Sequence, residues 1–358
     1  MTRPARARID LQALRDNLSL VRRLAPTSRV MAVVKADAYG HGLVFAARAL
    51  EDADAFAVIS LDEAACLRQA GIDKPLVLLE GLYGADEIDD AVAMRVCVVV
   101  HCEEQLQWLQ HARALQRLPL WIKVDTGMHR LGFAAAQASE LYVRLVEQAV
   151  PEENFGWMSH FACADEPRRP ETSHQVEQFI AAVDSLPGAK SLANSAALIA
   201  RPDSRLDWVR PGVMLYGGNP MLSAADCPHP LAAAMTLETT LISVNPRAAG
   251  DAVGYGGASV CSSDTTVGVA AIGYGDGYPR HAPPGTPVLV NGRRCPLIGR
   301  VSMDMITIDL AAVPEAQVGD PVILWGDGLS IDEVARHAGT IAYELMCGVT
   351  ARVPRHYA

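Results

Sequence analysis

Apolar positions recur along this chain with two different periods, and the change from one to the other divides it. Leu11, Leu14, Leu18, Val21 and Leu24 fall on one helical face, and Asp10 stands where an N-cap belongs. From Val30 onward short apolar runs take over, each a strand candidate. They lie at 30–34, 55–59, 76–79, 96–100, 119–124, 155–159, 190–193 and 212–216. Helical patterns fall between most of them, as at 61–70, 103–115, 137–149 and 171–185, with Gly and Pro at the joints. Eight strands alternating with helices over roughly 220 residues predict a closed parallel (β/α)8 barrel of the TIM type. The competing arrangement is an open doubly wound sheet, but no GxGxxG follows the first strand.

After Pro230 the texture changes. Runs such as MTLETTLISVNP, TTVGVAAIGYG, TPVLVNG and DPVILWG read as strands separated by Gly, Pro and Asn turns, with one helical pattern, SIDEVARHAG, near the end. The predicted class is therefore α/β, with an N-terminal barrel over 1–230 and a mostly-β second domain over 231–358.

Composition narrows what such a chain does. With 358 residues, half of them hydrophobic and a fifth charged, it can bury a large core. The net charge of −10 argues against a nucleic-acid or anionic-membrane surface, since both need a basic footprint. Eight cysteines form no CxxC pair, and most sit in apolar runs, which suggests free thiols in a reducing compartment. No segment approaches the ~20 apolar residues of a membrane span, and the N-terminus has no apolar core of signal-peptide length. A cytoplasmic protein acting on a small molecule is the expectation.

The candidate chemistry starts at VVKADAYGHG, where a β-branched run delivers Lys35 to the mouth of a loop. Lysine stands only at 35, 74, 123 and 190, and arginine supplies every other cation. A lysine amine can deprotonate and attack a carbonyl, which a guanidinium cannot, so Lys35 is a Schiff-base candidate. A lysine snorkelling at a strand end is the plainer alternative.

In a barrel the chemistry sits at the carboxyl ends of the strands. There the sequence places Lys35, Lys123 with Asp125 and Arg130, Ser159 with His160, Asn194 with Ser195, and Arg210 just before the eighth run. No His/Cys/Asp/Glu set has metal-ligand spacing, so no metal is expected. The Asn-Ser turn and the Arg-Pro-Gly segment can hold a phosphate near strands seven and eight. A phosphate site and a Schiff-base lysine in one mouth suggest pyridoxal phosphate.

At this point the residues resemble a known family. VVKADAYGHG, KVDTGMHRLGF, MSHFACADE, LANSAA, WVRPGVMLYG, VGYGG, AIGYGDGYPRH, GRVSMDM and TIAYELMC occur in the order and rough spacing of the bacterial alanine racemases, over about residues 4 to 355. The resemblance implies a barrel plus a C-terminal β domain, in a head-to-tail homodimer whose two active sites each draw on both chains. Lys35 matches the lysine that carries pyridoxal phosphate. Tyr39, Ser195, Gly212 and Tyr343 match phosphate ligands, with Asn194 in the same turn, and Arg210 matches the arginine facing the pyridine nitrogen. His160 matches the link from Arg210 to the catalytic tyrosine.

That tyrosine is Tyr255, which would come from the partner subunit. Arg130 and Met303 match groups at the substrate carboxylate, and Lys123 matches a lysine often carbamylated in the family. Tyr274, Arg280, Arg300 and Asp165 match residues on the entry path. Racemisation of alanine needs one acid–base group on each face of the reacting carbon, so the implied mechanism has two bases, Lys35 and Tyr255.

Other readings remain open at this stage. Tyr255 and Tyr274 could be packing aromatics, His160 a core histidine, and Lys123 an ion-pair partner of Asp125 or another carboxylate. A barrel-type amino-acid decarboxylase or a non-catalytic cofactor carrier would share part of the pattern. The latter would lack a second domain.

Overall fold

The computed structural model describes residues 3–358. A short strand, Arg6–Ile9 (β1), precedes the helix Leu11–Leu24. One oxygen of Asp10 accepts from the Gln12 N–H at 2.8 Å and the Ala13 N–H at 3.0 Å, two donors that a helix start leaves without partners. The expected helical face is buried at Leu14, Leu18 and Val21.

Eight strands then close into a ring. In chain order they are Arg29–Val33 (β2), Ala55–Val58 (β3), Leu76–Leu78 (β4), Val96–Val100 (β5) and Leu120–Asp125 (β6), followed after a two-residue strand on β6, Phe133–Ala134 (β7), by Phe155–Met158 (β8), Ala189–Asn194 (β9) and Trp208–Arg210 (β10). Every neighbouring pair is parallel, and β10 pairs with both β9 and β2, so the ring has no edge. Strands covered on both faces read as continuous apolar runs, and Val96 to Val100 are all buried. The barrel expected from the alternation is present, and the open sheet is excluded.

The eighth strand lies elsewhere than its apolar run suggests. Val213–Tyr216, expected as part of strand 212–216, is a buried 3-10 turn. The strand is Trp208–Arg210, so Arg210 ends it instead of preceding it. Pro211 has no N–H for a ladder and Gly212 leaves extended geometry, with φ −124° and ψ −99°, so pairing stops there. The Val-Met-Leu-Tyr run is apolar because it is buried, and the Tyr216 hydroxyl donates to the Val33 carbonyl at 2.9 Å.

The long strand Met235–Arg247 (β11) organises the second domain. Its first part pairs with β1 and with the strand Pro321–Trp325, and its second part with the strand Thr265–Ala270. The last strand, Arg355–Tyr357, runs parallel to β1, so both ends of the described chain lie in this sheet. The expected helix near the end is Ile331–Ala338, but a second one, Ala342–Gly348, follows it. Only seven residues long and opened by an isoleucine with no side-chain cap, it carries no clear start signal. This helix packs onto the barrel: a Cβ on Gly40 would lie 2.4 Å from the Met346 carbonyl oxygen. All eight cysteines are free, yet only Cys97, Cys261 and Cys295 are fully buried, fewer than their apolar neighbours suggest.

Replacing Asp10 by Ala removes two cap hydrogen bonds at the start of the first helix. The change should cost about 1 kcal/mol, read from urea unfolding of the full chain.

Candidate active site

Residues from five barrel strands meet at their carboxyl ends, around a cavity of about 540 Å³. Lys35 follows β2, Lys123 lies within β6, His160 follows β8, Asn194 ends β9 and Arg210 ends β10. Arg130, on the loop after β6, also lines the cavity, and Glu80 is its one carboxylate against Lys35, Lys123, Arg130 and Arg210. The excess of positive charge favours an anionic ligand.

Arg210 is the buried centre of this cluster. Its guanidinium donates to the Ser159 carbonyl at 2.5 Å, the Ser191 hydroxyl at 2.6 Å and the Leu192 carbonyl at 3.3 Å. A register shift between β9 and β10 sets Arg210 opposite Asn194, the kind of irregularity that re-aims a side chain. Burial pulls its pKa down to about 10, so it stays charged at neutral pH. One N–H points at His160 Nδ1, 3.4 Å away, which leaves the ring proton on Nε2. Burial, then Arg210 and the other nearby cations, holds His160 well below the usual imidazole range.

Lys123 is not the ion-pair partner of Asp125. One oxygen of Asp125 accepts from the N–H groups of Gly127, Met128 and His129, and the other faces the His129 ring. Burial first, and then Arg210, Arg130 and Lys35, lower the Lys123 pKa to about 8, with Glu80 opposing. A fraction of this amine is therefore neutral under mildly alkaline conditions.

The turn after Lys35 is the most strained backbone near the cavity. Ala36, Asp37, Ala38 and Tyr39 all have φ between 52° and 56°, a complete left-handed turn made of L residues. At roughly 1–2 kcal/mol each, such a turn needs support from its surroundings. His41 supplies part of it: Nδ1 lies 3.0 Å from the carbonyl oxygens of Ala38 and Tyr39, so it carries the proton. The other nitrogen, Nε2, is buried without a partner, and burial lowers the His41 pKa to about 4. Asp37 accepts from the Leu43 N–H at 2.7 Å.

This turn puts the Tyr39 hydroxyl at the far end of the cavity, where a Cβ on Gly212 would lie 2.6 Å from it. The Gly212 N–H donates to the Ser195 hydroxyl at 2.8 Å, while the Asn194 side chain caps the following helix by accepting from the Ala197 N–H at 3.0 Å. Tyr343 arrives on the helix Ala342–Gly348, its ring centroid 6.0 Å from that of Tyr39. Burial keeps both phenols protonated, and it raises Tyr343 to about 12 with help from Asp165 and Asp332. Two phenols and a serine hydroxyl thus gather here as donors.

The remaining candidates stand apart. Tyr255, Tyr274, Arg280, Arg300 and Met303 are exposed and line no part of the barrel cavity of their own chain. Several share a patch on the second domain: the Tyr274 N–H bonds the Ser302 carbonyl, the Gly275 N–H bonds the Met303 carbonyl, and a Cβ on Gly254 would lie 3.2 Å from the Arg300 nitrogen. Asp165 lines a separate surface hollow with Arg168 and Leu222. Beneath the Tyr274 turn lies Asp276, fully buried, paired with Arg3 at 2.6 Å and accepting from the Gly273 N–H at 3.0 Å. Sequence reasoning missed Asp276, Glu80 and His41, although all three lie in or beside segments it had marked.

The family profile described as "Alanine racemase, N-terminal domain" matches residues 9–220, and "Alanine racemase, C-terminal domain" matches residues 234–357. The chain belongs to the alanine racemase family. An alanine racemase of Nitrosococcus oceani is 53% identical over 349 residues, 97% of each chain, and one of Thioalkalivibrio sulfidiphilus is 52% identical over 359 residues, 100% of this chain and 99% of that one. Among solved structures, the biosynthetic alanine racemase of Pseudomonas aeruginosa superposes with a TM-score of 0.95 at 48% identity, over 100% of both chains.

The family's pyridoxal phosphate fits the residues present. Hydroxyl donors at one end suit a phosphate ester, the Lys35 amine in the same cavity could bond an aldehyde carbon, and a buried guanidinium carries no carboxylate partner among the described residues. A glycine is required at 212, because any side chain there meets the Tyr39 hydroxyl.

Both imidazoles, His41 buried and His160 half-buried, are neutral in the fold but take up a proton near pH 6.5 when unfolded. Stability should therefore be full above that pH and fall as the solution is acidified toward pH 4. For His41 alone the loss between pH 7 and pH 5 should be about 2 kcal/mol. Urea midpoints measured across this range should show a shallower slope in His41→Asn than in the natural chain.

Proposed function

We propose that this protein interconverts L-alanine and D-alanine, using pyridoxal phosphate held on Lys35 and a second base, Tyr255, from another copy of the chain. The observation that carries the reading is the convergence of Lys35, Arg210, Arg130 and the Tyr39–Ser195–Tyr343 hydroxyls on one cavity, in a chain of this family. When bound, the cofactor supplies an electron sink that acidifies the α-proton of the amino acid.

The protein's own groups do the rest. Lys35 Nζ would move a proton at the face of the D enantiomer. Tyr255 Oη moves one at the face of the L enantiomer. Each must lose a proton to act as base. Arg210, charged at working pH with no proton to give up, would face the pyridine nitrogen and would leave it unprotonated.

Tyr39, Ser195 and Tyr343 donate to the phosphate oxygens, with Gly212 leaving room and Asn194 shaping the turn. Arg130 and the Met303 N–H hold the substrate carboxylate. Lys123, neutral in part near pH 8, is able to take up carbon dioxide, and the resulting anion would orient Arg130. Tyr274, Arg280, Arg300 and Asp165 would form the approach once a second copy is in place.

A homodimer is supported by the second domain's surface. Tyr255 is 69% exposed and Met303 52%, with Val260 and Met305 also bare, an apolar patch that suits cover by a second copy. No helix among the described residues is long and apolar enough to cross a membrane.

Polarimetry or circular dichroism on L-alanine tests the reading directly. The natural chain should bring the signal to zero, because enantiomers have equal free energy in water. Lys35→Ala should leave the signal unchanged with either enantiomer, and Tyr255→Phe should lower the rate by orders of magnitude. A natural chain that binds pyridoxal phosphate yet leaves L-alanine optically unchanged would refute it. If Lys123 takes up carbon dioxide, activity at pH 8 should drop in bicarbonate-free buffer and return when bicarbonate is restored.

A further inference from the structure

The left-handed turn after Lys35 is held from its carbonyl side by His41, and a second side chain holds it from its amide side. Glu63 Oε1 accepts from the Ala36 N–H at 2.7 Å, and Glu63 Oε2 accepts from the Ile59 N–H at 3.0 Å. Ala36 follows Lys35 after β2 and Ile59 follows β3, so one carboxylate ties the carboxyl ends of two adjacent strands together.

The local sequence explains how Glu63 comes to face this way. Ser60, Leu61, Asp62 and Glu63 spell a capping box, and the Ser60 hydroxyl does accept from the Glu63 N–H at 3.3 Å at the start of the helix Leu61–Gln69. In an ordinary box the glutamate would return to the N–H of the cap residue itself. Here it reaches one residue further back and across to the neighbouring strand. Both of its oxygens are committed to main-chain N–H groups, so the glutamate serves the loop of Lys35 as much as its own helix.

We propose that Glu63 is a positioning residue for Lys35. By fixing the Lys35–Ala36 peptide in a conformation that L residues avoid, it presets the direction in which the amine leaves the backbone and keeps Ala36 and Tyr39 facing the cavity. The proposal rests on the reading of Lys35 as the cofactor-bearing amine. Glutamine at 63 cannot replace glutamate: both partners are donors, and an amide offers one accepting oxygen where the carboxylate offers two.

The test compares the natural full-length chain with Glu63→Gln, Glu63→Ala and a neighbouring control on the same turn, Asp62→Asn, each stripped of cofactor and reloaded with pyridoxal phosphate. Three readouts are taken: hydrogen exchange of the segment 34–43 in the cofactor-free chain, the pH midpoint of the absorbance of the Lys35-linked cofactor, and kcat and KM for alanine. Glu63→Gln should speed exchange in that segment by about tenfold while the barrel strands keep their protection. It should also shift the pH midpoint and lower kcat by about tenfold or more with KM changed less than about twofold.

Glu63→Ala should exceed Glu63→Gln in each, and Asp62→Asn should match the natural chain. Unchanged exchange in 34–43 together with an unchanged midpoint would overturn the proposal, as would exchange that rises evenly over the whole chain. Borohydride reduction and peptide mapping of the natural chain checks Lys35 separately. If the label falls elsewhere, the cofactor reading fails, and exchange in the cofactor-free chain still decides whether Glu63 holds the turn.

Discussion

Closure of the barrel through a three-residue strand is the constraint on which the site depends. Trp208–Arg210 pairs on one side with Arg29–Val33 and on the other with Ala189–Asn194, and without it the ring would be an open sheet with two bare edges. That closure sets Lys35, just beyond the end of one neighbour, beside Arg210 at the end of the closing strand. It also buries a guanidinium whose hydrogen bonds go to Ser159, Ser191 and Leu192. A buried charge with no carboxylate is costly unless its donors are filled, and here the fillers come from Ala189–Asn194 and from the residue that follows Phe155–Met158. The barrel and the charge at its mouth are thus one arrangement.

The second consequence concerns rigidity. A left-handed turn of four L residues persists only where its neighbours leave no alternative. Glu63 on one side, His41 on the other, Asp37 within the turn and the helix Ala342–Gly348 packed on Gly40 supply that enclosure. The last of these comes from the far end of the chain and also carries Tyr343, so the second domain helps to build the hydroxyl-lined end of the barrel cavity. Substitution in that helix therefore reaches the site through backbone contact as well as through Tyr343 itself.

Much of this was legible in the residues. Short β-branched runs such as Val96–Val100 declare buried parallel strands because nothing polar interrupts them, and Asp10 declares a helix start because it has a job there. The failures have physical causes. Trp208–Arg210 ends in a guanidinium and reads as a loop, while Val213–Tyr216 is apolar through burial and reads as a strand. The helix Ala342–Gly348 is too short for periodicity to show. Most residues that line the cavity were found through their motifs, Glu80 excepted, while Glu63 acts on the N–H groups of Ala36 and Ile59, His41 on carbonyls of its own turn, and Asp276 on Arg3 and the Gly273 N–H. Only the Ser60-to-Glu63 capping pattern left a trace of one of them.

Within one chain the barrel presents an amine and cations, while Tyr255 lies bare on the other domain. We propose that these halves meet only between copies. Mixing two inactive variants, Lys35→Ala and Tyr255→Phe, under conditions that let subunits exchange decides this most directly. In a mixed pair, one site has the Lys35 of one chain and the Tyr255 of the other, both intact. Alanine racemisation should therefore return to about a quarter of the natural rate, since half the pairs are mixed and each has one sound site of two. A mixture that stays inactive although mass measurement shows mixed pairs would mean that both groups serve within a single chain, contradicting the account.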